Sequence, residues 1–363
     1  MALPLARLLH AVGTKVPAPV LARAAQAVFA LPEPVRRRLG TRRRIDGHEL
    51  NLDSQLVLFL LRLQGVDGLI GPGSLAQQRE SMVRLSASVG GHTPGVTTRA
   101  MTVDGADGPL PARLYTPSAA AQKSPLIVFF HGGGFVLGDL DSHDAPCRYI
   151  AANAGARVLA VDYRLAPEHP FPAAADDAVA ATAWALANAD RLGADPAAVA
   201  VCGDSAGGNL AGVAARELSL ADAPRPAAAL LFYPVTGYDP ELASRDTFAD
   251  GFFLTRRDID SFADQYTPDL ETRDDPRTDL LHADGLAGMP RTHVVVAGFD
   301  PLRDEGLRFA ERLSQAGVDV TSTTESGAIH GFISMLGVSE TARAAVDEAV
   351  EVLRAALGNA ARK

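Results

Sequence analysis

The chain has 363 residues, 47% hydrophobic and 21% charged, which supplies a sizeable core and excludes a disordered or fibrous polypeptide. With 34 basic against 43 acidic residues the net charge is −9, which excludes a general nucleic-acid binder. Two cysteines, Cys147 and Cys202, are too few for a disulfide scaffold or a cysteine zinc site.

The charge is uneven. Residues 1–44 carry nine basic residues against the single acid Glu33, ending in Arg36-Arg37-Arg38 and Arg42-Arg43-Arg44. Such a start can bind an anionic membrane surface, but charge runs are ordinarily solvated helix ends and loops, and that reading is preferred. Arg7, His10 and Lys15 interrupt the first apolar stretch, so no secretory signal is expected. No run of ~18 apolar residues offers a membrane-spanning helix. The expected location is cytoplasmic, with peripheral contact at a membrane the alternative.

The first ninety residues read as helical. Leu56–Leu61 is apolar on most sides and should be buried. Ser74-Leu75-Ala76-Gln77 has capping-box spacing and starts a helix running to Gly90-Gly91. Val96–Val103 and Leu110–Tyr115 read as short strands around Asp104-Gly105 and Asp107-Gly108, a hairpin signal. Apolar runs then alternate with helices: Pro125–Phe130, a helix near 143–155, Arg157–Val161, a helix over 173–191, Ala198–Cys202, a helix over 206–219, and Ala227–Phe232. Val294–Ala297, a helix near 302–316, Val318–Thr323 and a last helix near 339–357 complete the chain. Continuous apolar runs suit strands buried on both faces, and the alternation implies a mostly parallel sheet with helices on both faces, an α/β fold. Residues 237–289 show no strand pattern and read as an insert with its own role.

Ala198–Cys202 runs straight into Gly203-Asp204-Ser205-Ala206-Gly207, a G-x-S-x-G between a strand and a small-residue helix. A serine on so tight a turn is pushed clear of the sheet, and the helix N-terminus behind it offers free N–H groups to an anion. A plain glycine-rich turn has the same letters; the strand–turn–helix context favours a nucleophile. His131-Gly132-Gly133-Gly134 ends the run Pro125–Phe130 and exposes bare amides suited to a developing oxyanion. His131 itself precedes the glycines and reads as structural.

The base is read as His330, in Ile329-His330-Gly331-Phe332 after the last strand; His282 falls in the insert and His293 at the wrong end of a strand. The acid is read as Asp300, at the carboxyl end of Val294–Phe299, whereas Asp304 and Glu305 look like first-turn helix charges. Tyr163–Pro172 reads as a rigid supporting loop with three prolines and an Arg164–Glu168 contact, Asp204 as a residue ordering the turn, and Cys202 as an inert core thiol. Phe252, Phe253 and Leu254 are candidates for pocket residues, with packing inside the insert preferred. No H-E-x-x-H, paired cysteines, G-x-G-x-x-G or phosphate loop occurs, so neither a metal nor a cofactor is expected.

Together these segments resemble the hormone-sensitive-lipase-like (bacterial family IV) carboxylesterases of the α/β-hydrolase superfamily. The resemblance rests on His131–Gly134, Tyr163–Glu168, Gly203–Leu210, Asp300–Gly306 and His330–Phe332, in the family's order over about 95–358. It implies an α/β-hydrolase core over 93–236 and 290–363, with a helical cap from 1–92 and 237–289. It implies that the amides of Gly133, Gly134 and Ala206 form an oxyanion hole beside a Ser205–His330–Asp300 triad. The expected activity is hydrolysis of short- to medium-chain carboxylic esters, small-molecule or lipid, through an acyl-enzyme. An amidase or other acyl hydrolase could use the same triad. Non-catalytic hormone receptors on this fold lack a complete one, whereas His330 is present here.

Overall fold

The computed structural model describes residues 18–63, 66–221 and 223–360. The N-terminal part is helical: α1 Ala18–Phe29, α2 Glu33–Leu39, a two-residue ladder of β1 Arg44–Ile45 with β2 His48–Glu49, then α3 Leu52–Leu63 and α4 Leu75–Val89. Leu56, Val57, Leu58 and Leu61 of α3 are buried, while Phe59 and Leu60 are partly exposed. At α4 the Ser74 side chain accepts from the Gln77 amide, and the Gln77 side chain accepts from the Ser74 amide at 2.8 Å, the reciprocal box that its spacing predicts.

The core follows as β3 Val96–Gly105, β4 Gly108–Pro117, β5 Ser124–Phe130, α5 Asp144–Ala154, β6 Arg157–Val161, α6 Ala173–Ala187, β7 Ala194–Asp204, α7 Ala206–Leu220 and β8 Ala228–Phe232. After the insert with α8 Ala243–Thr247 and α9 Arg256–Tyr266 come β9 Arg291–Phe299, α10 Arg303–Gln315, β10 Val320–Ile329 and α11 Glu340–Ala360. The eight core strands form one sheet in the order β10-β9-β8-β7-β5-β6-β4-β3. The six strands from β10 to β6 are parallel, and β4 and β3 add an antiparallel edge. All eight expected strands are present. β10 runs on to Ile329, past the expected Thr323, because its alternating exposure marks a half-solvated edge strand without an apolar run.

One face of the sheet packs its Val, Leu and Phe side chains against α6, α7 and α10, and the other against α5 and α11. A third apolar cluster joins Val57, Leu58 and Leu61 of α3 to Phe248, Phe252 and Phe253 of the insert and to Phe299 at the end of β9. Within it Phe252 lies against Phe248 and Phe299, at ring-centroid distances of 5.5 and 5.4 Å. The two segments outside the core are also tied by Asp258, a fully buried carboxylate at the start of α9. It caps its own helix through the Thr255 amide and hydroxyl (3.0 and 2.7 Å) and accepts the Leu69 and Ile70 amides of the N-terminal part, both at 3.0 Å.

Of the expected basic stretch, residues 1–17 lie outside the described residues. In its described part Arg37 pairs with Glu33, Arg42 with Glu49, and Arg36 faces Asp53. Among the described residues no helix is long and apolar enough to cross a membrane.

Asp258→Ala should therefore loosen α9 and the 66–71 segment together, because four donors, two buried and two half-buried, lose one acceptor. Leaving such donors unsatisfied costs about 1–3 kcal/mol, to be read as a lower urea midpoint. A midpoint equal to that of the unmutated protein would show that this carboxylate does not join the two segments.

Candidate active site

β7 ends at Asp204, and Ser205 makes the turn into α7 with φ +57° and ψ −119°. A non-glycine residue in that region is strained, and the turn is held by the Ser205 amide on the Phe232 carbonyl (2.9 Å) and the Val235 amide on the Ser205 carbonyl (3.1 Å). The helix then passes so close to β5 that a Cβ at Gly207 would sit 2.0 Å from the Phe130 carbonyl oxygen. Only glycine fits there, which is the physical content of the last letter of G-x-S-x-G. Among the described residues five non-glycines have positive φ, and four of them (Phe135, Ser205, Tyr233 and Phe253) surround this point.

The other two predicted residues arrive from the neighbouring strand ends. Phe299 of β9 pairs with Ile329 of β10 in parallel register, so the next residues, Asp300 and His330, leave the sheet side by side. His330 Nδ1 lies 2.7 Å from Asp300 Oδ2, and His330 Nε2 lies 2.9 Å from Ser205 Oγ. Asp300 also accepts the Leu302 amide at 2.8 Å, which fixes the carboxylate. An acceptor carboxylate on Nδ1 selects the tautomer whose Nε2 can take a proton from the serine. Asp300 and His330 are buried, and Ser205 is 8% exposed at the meeting of two pockets.

The glycine loop borders Ser205 in both pockets, Gly134 in one and Gly133 in the other. Gly133 and Gly134 have φ +119° and +63°, and a Cβ at Gly134 would be 2.2 Å from the Phe262 ring. Their amides have no hydrogen-bond partner among the described residues, and Ala206 is the first residue of α7. Bare amides at a helix start and a glycine turn are what an oxyanion requires. Asp204 links this loop to the turn: its carboxylate accepts the Gly132 amide at 2.9 Å and faces His143 Nε2 at 3.3 Å. Burial alone would raise this carboxyl; the His143 ring and the Gly132 amide outweigh it and hold it below the usual carboxylate range. His131 stacks on Tyr163 at 4.4 Å and is pushed down to about 4 by burial and by His143, so it is neutral and structural at pH 7.

The pocket beside Gly134 is about 740 Å³ and is lined by Phe135, Leu254, Ile259, Phe262, Tyr266 and Leu302, with Arg245 and Arg273 among its polar groups. The other, about 640 Å³, holds His330, Gly331 and His143 and is closed by Val57 and Leu61 of α3, Met82, Leu85, Ser86 and Val89 of α4, and Phe253. Phe253 and Leu254 thus face the two pockets, while Phe252 packs in the core cluster.

One local expectation is corrected. Arg164 does not meet Glu168: it forks onto Asp177 at 2.8 and 2.9 Å, and Glu168 pairs with Arg79. Asp304 and Glu305 are first-turn acids of α10 as expected, and Glu305, fully buried, also accepts the Thr236 amide at 2.9 Å and pairs with Arg245 at 2.5 Å. Of the histidines set aside, His282 is an exposed partner of Asp279 and His293 lies beside Thr321 at the start of β9. Cys202 is buried, and burial pushes its thiol well up. No cluster of three or more metal-ligating side chains occurs among the described residues. His143, Arg79, Arg245 and Tyr266 escaped the sequence reading, because nothing in their local pattern separates them from ordinary surface or core residues.

Residues 127–334 match a protein-family profile described as the α/β-hydrolase fold. The chain is 42% identical over 335 residues to the carboxylic ester hydrolase LipN of Mycobacterium tuberculosis, covering 90% of this chain and 89% of that protein. It is 40% identical over 260 residues to the esterase LipI of the same organism, covering 71% and 81%. Among solved structures, an ester-hydrolase from the metagenome of Lake Arreo, complexed with a bipyridine phosphonate derivative, superposes with a TM-score of 0.79 at 37% identity, over 85% of this chain and 99% of that one.

The Asp204 contacts carry a pH signature. A carboxyl held below its unfolded value stabilises the fold fully above the unfolded pKa of about 3.9, and that contribution is lost as pH falls towards the folded value. Asp204→Asn should unfold at lower urea than the unmutated protein at pH 7, with a gap that narrows below about pH 4. A gap constant from pH 7 to pH 3 would show that the charge of Asp204 contributes nothing.

Proposed function

This chain belongs to the α/β-hydrolase fold family and is a carboxylic ester hydrolase of the hormone-sensitive-lipase-like kind, and from that premise we propose that it works through a Ser205–His330–Asp300 triad and an acyl-enzyme. The observation that carries this reading is the unbroken chain of contacts from Asp300 through His330 to Ser205, at 2.7 and 2.9 Å, opening onto two pockets. Ser205 Oγ attacks the ester carbonyl carbon as His330 Nε2 takes its proton. The carbonyl oxygen becomes an oxyanion held by the amides of Gly133, Gly134 and Ala206. When the carbon–alkoxy bond breaks, His330 returns the proton to the departing alcohol. Water then attacks the acyl-serine with the same histidine as base, releasing the acid and restoring Ser205. Asp300 stays ionised and stabilises the imidazolium in both halves.

The leaving oxygen has to lie next to His330, so the 640 Å³ pocket that His330 lines takes the alcohol and the 740 Å³ pocket, which His330 does not line, takes the acyl group. Its aromatic and aliphatic walls suit a short- to medium-chain acyl group. In this reading 18–89 and 237–289 form one cap: the first closes the alcohol side and the second lines the acyl side, tied through Asp258. The basic stretch is a solvated surface, since Arg36, Arg37 and Arg42 face acids of this chain.

Ser205→Ala should lower kcat by about 10⁴–10⁶ with the fold intact, and a phosphonate probe should label the unmutated protein at Ser205 alone. Labelling that survives in the alanine variant would refute the nucleophile. Asp300→Asn should cost several orders of magnitude in kcat, whereas Asp304→Asn, whose carboxylate serves the Ser244 amide and Arg303, should cost less than about tenfold. The reverse ranking would refute the acid. An acyl-length series of p-nitrophenyl esters, run beside matched anilides, should favour short to medium acyl chains and esters; faster anilide turnover would make the protein an amidase.

A further inference from the structure

Gly133, Gly134 and Phe135 are three consecutive residues at positive φ, +119°, +63° and +64°. The Val136 and Leu137 amides close the run onto the Gly133 carbonyl at 3.2 and 2.8 Å, but so strained a backbone, above all at a phenylalanine, also needs restraint from outside to hold its amides in place. Upstream the pin is the Gly132 amide on Asp204. Downstream there are two. The Phe135 carbonyl accepts the Ala166 amide at 2.9 Å, and the Val136 carbonyl accepts Arg79 Nε at 2.9 Å.

Arg79 stands on α4, outside the core. Its guanidinium uses its whole fork: Nε on the Val136 carbonyl, Nη2 on the Ala166 carbonyl at 3.0 Å, and Nη1 and Nη2 on the two Glu168 carboxylate oxygens, both at 2.8 Å. One side chain thus clasps the glycine loop to the 163–168 loop. Met82, Ser86 and Val89, at helical spacing on α4, line the alcohol-side pocket.

We infer that Arg79 is a positioning residue for the oxyanion loop, delivered by the cap helix that also borders the alcohol pocket. The inference rests on the proposed oxyanion role of Gly133 and Gly134. Glu168 is half exposed, so the ion pair itself adds little to stability; what the fork supplies is the placement of two carbonyls. Displacing the loop weakens binding of the developing oxyanion more than it weakens ground-state binding in the pockets, so the loss falls mainly on kcat.

The test compares Arg79→Ala, Arg79→Lys and Glu168→Gln with Ser205→Ala as control. Its readouts are p-nitrophenyl ester kinetics on titrated active sites, affinity for an alkyl trifluoromethyl ketone that adds to the serine as a tetrahedral adduct, and thermal unfolding. Arg79→Ala should lower kcat by about 10–100-fold at nearly constant KM and weaken the ketone by a similar factor. Arg79→Lys should recover only part of this, because one ammonium cannot bridge both carbonyls and the carboxylate. Glu168→Gln, which keeps both carbonyl bonds, should lose less than about tenfold. Unchanged kcat per titrated site, with or without a lower melting temperature, would overturn the inference; so would a rise in KM alone or full rescue by lysine. If the alanine variant fails to fold, the lysine and Glu168 variants decide by the same criteria. Activity persisting in Ser205→Ala would refute the triad and this inference with it; a dead Ser205→Ala beside normal Arg79 variants refutes this inference alone.

Discussion

In the parallel part of the sheet Phe130 lies opposite Gly203, Asp204 opposite Phe232, and Phe299 opposite Ile329. Each strand therefore releases its next residue at the same edge, β9 and β10 running on past the level of Phe232, which lies opposite Val295. The glycine loop, the serine turn, Asp300 and His330 are all such next residues. A slip of one residue between β5 and β7 would carry the Phe130 carbonyl away from Gly207 and turn each side chain of the slipped strand to the opposite face, so the core and the site are held by the same pairing. The sheet gathers the four segments at one edge, and β10 reaches its pairing of Ile329 with Phe299 through a register shift between Glu325 and Ile329.

What the sheet does not supply is the conformation of the loops at that edge. Ser205, Phe135, Tyr233 and Phe253 sit in backbone regions that cost each of them of order 1–3 kcal/mol. The compensating contacts are polar and buried: Asp204 on Gly132, Tyr163 Oη on the His131 carbonyl at 2.7 Å, and Ser205 on Phe232. These bonds form where water is excluded, so losing one leaves an unsatisfied group instead of a hydrated one. The strain and its restraints thus surround one serine, and the remainder of the sheet is ordinary aliphatic packing.

Much of this was legible in the sequence, for identifiable reasons. Strands buried on both faces announce themselves as apolar runs, and β5, β6 and β8 fall within a residue of their expected limits. β10 extends past the limit its letters suggest, because an edge strand with polar residues at Thr321–Ser326 carries no such run. The four segments at the strand ends are legible because close backbone approach demands glycine, and glycine clusters are visible. Contacts made by long side chains across chain separations are not. Arg164 lies four residues from Glu168, yet each found a partner elsewhere: Arg164 the buried Asp177, and Glu168 an arginine on a helix 89 residues away. Glu305 is the first-turn acid its position suggests, but its partner Arg245 comes from the insert, and an insert without periodicity cannot be docked from its letters.

The insert and the N-terminal helices can be irregular because the demands on them differ from those on the core. The core brings Ser205, His330 and Asp300 within hydrogen-bond distance at the ends of its strands. The outer segments border the two pockets at Ser205, and apolar side chains of many shapes can line such a space. Their attachment is concentrated where backbone or carboxylate groups meet specific donors: Asp258 between α9 and the 66–71 segment, and Arg79 between α4 and the glycine loop. Leu254, Phe262 and Met82 line the pockets and take no part in either tie, so the pocket walls and the ties rest on different side chains.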